Sequence, residues 1–144
     1  DIRDPGNLGT IIRMADWFGI QQIVCSKETV DSYNPKVIQS TMGSFIRVQI
    51  NYTDLEEFFE TYSHPILGTF MDGENLYKTK LPEKAVLLMG NEANGISEKL
   101  ESFVTQRLSI PRMGKLQQTE SLNVAMATSI ILGERASTIF RGNS

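Results

Sequence analysis

The chain has 144 residues, 40% of them hydrophobic and 22% charged, with a formal net charge of −3 and a sequence pI near 5.2. This is the composition of an ordinary globular domain large enough to bury a core. It argues against a general nucleic-acid-binding surface, which needs clustered Lys and Arg. No apolar run approaches the ~18 residues that span a bilayer, and no secretory signal is recognisable. The single Cys makes no internal disulfide, so the expected location is cytoplasmic.

In chain order, Leu8, Ile11, Ile12, Ala15 and Phe18 fall at helical spacing, and Gly19 closes that helix. Gln22–Ser26 reads as a short strand. Asn34-Pro35 is a cap followed by Pro at the first helical position, opening a helix to about Thr41. Arg47–Tyr52 alternates as a strand does, and Thr53-Asp54-Leu55-Glu56 reads as a capping box for a helix to about Tyr62. Ile66–Phe70 and Ala85–Met89 are buried-type strands, with a polar loop around Asp72-Gly73-Glu74 between them. Ser97–Val104 reads as a short helix, Arg107–Ile110 as the last strand, and a long apolar helix runs from near Ser121 to about Phe140. The alternation predicts one α/β domain over residues 1–144, a mostly parallel sheet with helices on both faces.

Three segments invite a chemical reading. The first is Asp4-Pro5-Gly6-Asn7-Leu8-Gly9-Thr10-Ile11-Ile12-Arg13, a turn in which Asn7 is placed to cap the following helix. Arg13 lies at the edge of that helix's apolar face, where a plain surface Arg would also fit. The second, Leu88-Met89-Gly90-Asn91-Glu92-Ala93-Asn94-Gly95-Ile96-Ser97, leaves a strand and enters a helix, with Glu92 at a turn where a carboxylate has no packing purpose. The third is Ile110-Pro111-Arg112-Met113-Gly114, followed by Ser121-Leu122-Asn123-Val124-Ala125, with Ser121 as the expected helix cap. The last two loops leave the C-terminal ends of strands, where open α/β sheets bind ligands, and their Gly residues let backbone approach a flat ligand. There is no G-x-G-x-x-G, and Gly114-Lys115 is not a Walker A loop. His64 has no nucleophile or second His in a recognisable pattern, Cys25 reads as buried and inert, and no metal-ligand spacing is present.

Taken in order, these segments resemble the three signature motifs of the SpoU (TrmH-type) RNA methyltransferases of the SPOUT superfamily, over nearly the whole chain. The resemblance implies an α/β fold with a C-terminal trefoil knot from roughly Leu88 onward, although chains in general do not thread their own loops. It implies S-adenosyl-L-methionine as cofactor, held by Leu88, Met89, Gly90, Ile110, Met113, Leu122 and Ala125. It places Asn7, Arg13, Glu92, Ser121 and Asn123 in the active site, with a ribose 2′-hydroxyl of tRNA or rRNA as the methyl acceptor. Arg13 is then either the base or the group that orients the hydroxyl and neutralises a phosphate. The second role is favoured, because an arginine is ordinarily too basic to take up a proton. Between Gly114 and Ser121 the segment Lys115–Glu120 is longer than in the commonest members.

The resemblance further implies a homodimer with a shared site. Met14 and Trp17 on the first helix, and Val124, Met126, Ile130, Ile131 and Leu132 on the last, leave both helices apolar around much of their circumference. It also implies that this is a catalytic-domain fragment. The strand that feeds the first motif, and a region that supplies RNA affinity, are expected outside residues 1–144. Two other readings stand beside it: a non-catalytic knotted RNA- or cofactor-binding module, and methylation of a base rather than a ribose. No metal or membrane partner is implied.

Overall fold

The structure, a computed structural model, describes residues 1–41, 47–114 and 122–142. Helices and strands alternate: α1 (Pro5–Trp17), β1 (Gln22–Ser26), α2 (Pro35–Thr41), β2 (Gln49–Thr53), α3 (Leu55–Thr61) and β3 (Ile66–Asn75). A single 3-10 turn (Leu76–Lys78) follows, then β4 (Val86–Leu88), α4 (Glu98–Glu101), β5 (Gln106–Ser109) and α5 (Val124–Phe140). All the strand pairings are parallel among the described residues. The expected single sheet is divided, however. β1 pairs with β2 in one sheet, and the order β4-β3-β5 makes another.

The helix ends follow local chemistry, and several differ from the sequence expectation. Asp4, not Asn7, caps α1: its carboxylate accepts the Asn7 N–H at 2.8 Å, with Pro at the first helical position. Asn7 is therefore inside the first turn, and its side chain is released for another use. At the other end the Ile20 N–H donates to Ala15 C=O at 2.7 Å and the Gly19 N–H to Asp16 C=O at 3.1 Å, with Gly19 at φ +75°. That paired closure is the Schellman arrangement, which places Gly where the chain must turn left-handed. α3 is capped by Asp54, which accepts from Glu56 and Glu57 N–H, while Thr53 belongs to β2. α4 is shorter than expected and is capped by Ser97. α5 begins at Val124 and is capped by Asn123, whose Oδ1 accepts from Ala125 N–H at 2.8 Å and Met126 N–H at 3.2 Å. The expected cap Ser121 lies outside the described residues.

Asp72-Gly73-Glu74, expected in a loop, belongs to β3. The pairing with β5 runs Leu67↔Gln106, Gly68↔Arg107 and Thr69↔Leu108, then resumes at Glu74↔Leu108, so residues 70–73 bulge out of the ladder. A bulge leaves its extra residues unpaired and bends the strand. Arg107 braces it: its guanidinium lies 3.7 Å from the centre of the Phe70 ring and pairs with Asp72 at 2.6 Å and Glu101 at 2.8 Å. Gly73 passes so close to β5 that a Cβ there would stand 2.4 Å from the Leu108 carbonyl carbon.

Alternation along β3 builds two layers of core, since successive side chains face opposite sides of a strand. Ile66 packs with Phe59 of α3 and Leu88, and Leu67 packs with Leu108 and Ile131 of α5. Helices thus cover both faces of the three-stranded sheet. Leu8, Ile12 and Ala15 of α1 gather with Cys25, Val37 and Val124 in a further cluster. Met89 packs against this cluster and against the one around Leu108, which ties the start of the second motif to both.

Because the atom nearest a Cβ at position 73 is backbone, Gly73→Ala is expected to lower stability by about 1–3 kcal/mol, the range for overpacking a tight site. Urea unfolding monitored by circular dichroism measures it, and an unchanged midpoint would show that the bulge yields freely.

Candidate active site

Three segments far apart in sequence meet at the N-termini of α1 and α5. Glu92, in the loop after β4, turns its carboxylate back onto the start of the chain. Its Oε2 accepts from the Asp4 N–H at 2.7 Å and its Oε1 from the Arg3 N–H at 3.1 Å. Oε2 also accepts from Asn7 Nδ2 at 3.3 Å. Asn7 Oδ1 in turn accepts from Asn123 Nδ2 at 3.0 Å. The orientation of both amides follows from their partners. Asn123 must present oxygen to the α5 N–H groups, so it presents nitrogen to Asn7, which must then present nitrogen to the carboxylate. Donor meets acceptor at every link from the α5 N-terminus to Glu92.

The carboxylate is half-buried. Burial alone would raise its pKa, but the N–H groups of Asp4 and Arg3 and the Asn7 amide outweigh this and hold it below its ordinary value. Hydrogen bonds to the charged form favour that form. The nearby N-terminus of α1, already capped by Asp4, also favours negative charge. Glu92 thus does have a structural purpose. It fastens the second motif to the first.

Asn91 makes a second fastening that sequence reasoning did not single out. Its Nδ2 donates to the Asp1 C=O at 2.6 Å, while its Oδ1 accepts from Ala93 N–H at 2.9 Å and Asn94 N–H at 3.0 Å. The signal was present, since Asn followed by small residues and Gly is the pattern of an Asx turn. Gly90 also has an internal reason to be glycine: a Cβ there would lie 2.3 Å from the Gly95 carbonyl carbon, so the loop folds back on itself at this point.

Among the expected site residues, the structure joins Asn7, Glu92 and Asn123. The Arg13 side chain is exposed and makes no hydrogen bond or ion pair with another described residue. It lies six positions beyond Asn7 on the same helix, about 9 Å along the axis and about 120° round it, facing away from that cluster. Ser121 lies outside the described residues. Of the expected cofactor residues, Leu88 and Ala125 are buried and Met89, Gly90 and Ile110 half-buried. Met113 and Leu122 stand 91% and 50% exposed. A cavity of about 290 Å³ also opens in the molecule, but of these residues only Leu88 and Met89 line it. Cys25 is buried, and burial pushes its thiol up to about 11, which suits a core residue better than a nucleophile.

A family model, the SpoU rRNA Methylase family, matches residues 1–133. The chain is 32% identical over 136 residues to the 23S rRNA (guanosine(2553)-2′-O)-methyltransferase RlmP of Bacillus subtilis, covering 91% of this chain and 53% of that protein. It is 33% identical over 139 residues to the 23S rRNA (guanosine-2′-O-)-methyltransferase RlmB of Neisseria meningitidis, covering 92% and 54%. An AdoMet-bound rRNA methyltransferase from Sinorhizobium meliloti superposes with a TM-score of 0.86 at 33% identity, over 96% of this chain and 54% of that one. The chain spans about half the length of the curated relatives it matches.

The depressed Glu92 pKa has a consequence for stability. Between its ordinary value near 4.5 and the lower folded value, the unfolded chain binds more protons, so folding gains stability as pH rises through that window. The contribution is complete above about pH 4.5 and is lost as pH falls through the folded value. Glu92→Gln should remove this acid-side slope from urea midpoints measured between pH 3 and 6, while leaving the slopes due to other carboxylates. An identical pH profile for the two proteins would contradict the assignment.

Proposed function

The chain belongs to the SpoU rRNA methylase family, and on that footing we propose that it is the catalytic part of an S-adenosyl-L-methionine-dependent RNA 2′-O-methyltransferase acting on rRNA or tRNA. The observation that carries the reading is the hydrogen-bonded Glu92–Asn7–Asn123 chain, which brings residues from all three motifs to one place. The residues proposed to hold the cofactor fit it chemically. Leu88, Met89, Ile110, Met113, Leu122 and Ala125 carry no charge, and the exposed Met113 and Leu122 side chains offer apolar surface for a flat heterocycle. Gly90 adds backbone without a side chain. Bound there, S-adenosyl-L-methionine supplies an electrophilic methyl group to a ribose oxygen.

The chain's own residues then have distinct tasks. Arg13, a cation whose side chain has no partner among the described residues, orients the acceptor hydroxyl and neutralises a neighbouring phosphate, which lowers the barrier by positioning. Glu92 is a poor proton acceptor, because the N–H donors of Arg3, Asp4 and Asn7 stabilise its charged form. It holds Asn7 instead, and Asn7 and Asn123 present a fixed polar edge to the ribose. Ser121, which the third motif also assigns to the active site, is proposed to act on the same ribose. The path from roughly Leu88 onward is a trefoil knot in this reading.

The protein works as a homodimer with composite sites. α1 and α5 pack on each other, yet Trp17 is 79% and Met126 62% exposed on them. Apolar surface of that size on a helix pair calls for cover. Arg13 lies one turn before Trp17, so a partner docked on this face would receive it, which accounts for its distance from the Asn7 cluster in its own protomer. RNA affinity resides largely in the part of the protein beyond this chain, given the net charge of −3. Among the described residues no helix is long and apolar enough to cross a membrane, and a cytoplasmic location fits an RNA substrate.

Mass-spectrometric mapping of rRNA and tRNA from cells lacking the gene should show the loss of one 2′-O-methylated nucleotide. Loss of a base methylation, or no loss, would contradict the proposal. In the full-length enzyme, Arg13→Ala should cut methyl transfer by at least ~100-fold, the scale for losing a positioned catalytic group, with S-adenosyl-L-homocysteine affinity by calorimetry unchanged. Heterodimers of that variant with a subunit crippled in cofactor binding should recover activity, and failure to do so in verified heterodimers would rule out the composite site.

A further inference from the structure

Arg3 stands beside the Glu92–Asn7–Asn123 chain, and its backbone is fixed on both sides. The Arg3 N–H is shared by the two Glu92 oxygens at 3.1 and 3.2 Å, and the Asn7 amide donates to the second of these at 3.3 Å. One carboxylate oxygen is thus a common neighbour of the Arg3 backbone and of the amide proposed to face the ribose. On one side of Arg3, Ile2 is buried and its C=O accepts from the Val30 N–H at 2.8 Å. On the other, the Asp4 N–H is held by Glu92 as well.

The Arg3 side chain, by contrast, has little to do in the fold. Its Nη2 lies 3.9 Å from Glu28 Oε2, beyond hydrogen-bond distance, with the two side chains 66% and 69% exposed. A surface pair this loose contributes little to stability. Arginines with a structural task are held differently in this protein. Arg47 grips Asp16 through Nε and Nη2 at 2.9 and 2.8 Å, and Arg107 meets Asp72 and Glu101 at 2.6 and 2.8 Å. Arg3 is a guanidinium on a rigid backbone, and its side-chain donors make no hydrogen bond among the described residues.

The charges around the site give such a group a use. Asp4 and Glu92 meet at the entry to α1, Asp1 is bonded to Ser26, and Glu28 lies two residues further along that loop. An RNA strand whose ribose approached Asn7 would bring its phosphates against these carboxylates, and like charges repel. Arg13 faces away from the cluster in its own protomer and does not offset them. Arg3 does, and the exposed Lys27, between Ser26 and Glu28, adds a second cation on the same side. A guanidinium fork also matches two oxygens of one phosphate, which a single ammonium does not.

We propose that Arg3 is a substrate-binding residue that holds a backbone phosphate of the RNA strand carrying the acceptor ribose, and that it leaves Glu28 to do so. The proposal rests on the RNA methyltransferase reading above and adds to it a contact on the side of the site that Arg13 does not reach. Because the Arg3 backbone is already fixed by Glu92 and Ile2, RNA binding has only the side chain left to order, which keeps the entropic cost small. A phosphate contact carries no sequence information; it sets the register of the strand on the site.

Steady-state transfer of labelled methyl to rRNA from cells lacking the gene, measured with the full-length enzyme at several salt concentrations, tests the proposal. Arg3→Gln should raise KM for rRNA about tenfold, the scale of one charge-assisted hydrogen bond, and should flatten the dependence of log KM on log salt by about 0.7, the share of one phosphate on a single strand. Its kcat and its affinity for S-adenosyl-L-homocysteine by calorimetry should stay at the wild-type values, which a merely structural role would not allow. Arg3→Lys should restore the salt slope, and Glu28→Gln should lower KM for rRNA. An unchanged KM or salt slope in Arg3→Gln, a loss confined to kcat, or a KM that does not fall in Glu28→Gln would overturn the proposal alone. A wild-type enzyme that transfers no methyl group to RNA would overturn it together with the reading on which it rests.

Discussion

The fold converges on one half-buried carboxylate. Glu92 accepts hydrogen bonds from two backbone N–H groups at the entry to α1 and from the Asn7 amide, and Asn7 is locked to Asn123 at the entry to α5. The partners lie 85 to 116 positions apart in sequence, so no local tendency brings them together. Donor meets acceptor at every link. A charge left here without its partners would be costly, and an amide turned the wrong way would set like against like. The arrangement therefore holds both helix entries and the loop after β4 in one relative position.

Packing brings those groups within reach. The helix entries are set by the apolar faces behind them: Leu8 and Ile12 on α1 and Val124 on α5 share one cluster, and Met89, three residues before Glu92, packs into it as well. At ~1.5–3 kcal/mol for burying a large aliphatic side chain, this cluster outweighs the polar chain above it in stability. The polar chain contributes definition. For the ribose-positioning role proposed for this site, that definition matters more than extra stability, because small misplacements of reacting groups are costly in rate.

Much of this was legible in the sequence, and the exceptions share a cause. The apolar strands β1 and β4, the Gly19 helix stop and the three motifs were readable because period and turn chemistry are local. Asp72-Gly73-Glu74 looked like a loop, since nothing local reveals that Gly73 passes against the Leu108 backbone. Asn7 and Ser121 looked like caps because Asn and Ser are good ones, yet Asp4 and Asn123 cap the two helices. Asn7 is thereby released to bond across to Glu92. Glu92 looked purposeless for packing because its donors are backbone N–H groups almost 90 positions away. The division into two sheets was equally hidden, since alternation predicts strands but not which edges remain bare.

The account stands on the three motifs acting as one unit, and a double-mutant cycle tests that most directly. Glu92→Gln, Asn123→Ala and the double variant of the full-length protein would be compared in single-turnover transfer of labelled methyl from S-adenosyl-L-methionine to rRNA prepared from cells lacking the gene. If Glu92 and Asn123 act through Asn7 as one hydrogen-bonded chain, the double variant should lose little more than the worse single variant. Losses that multiply as for independent sites, or a wild-type protein that transfers no methyl group, would contradict it.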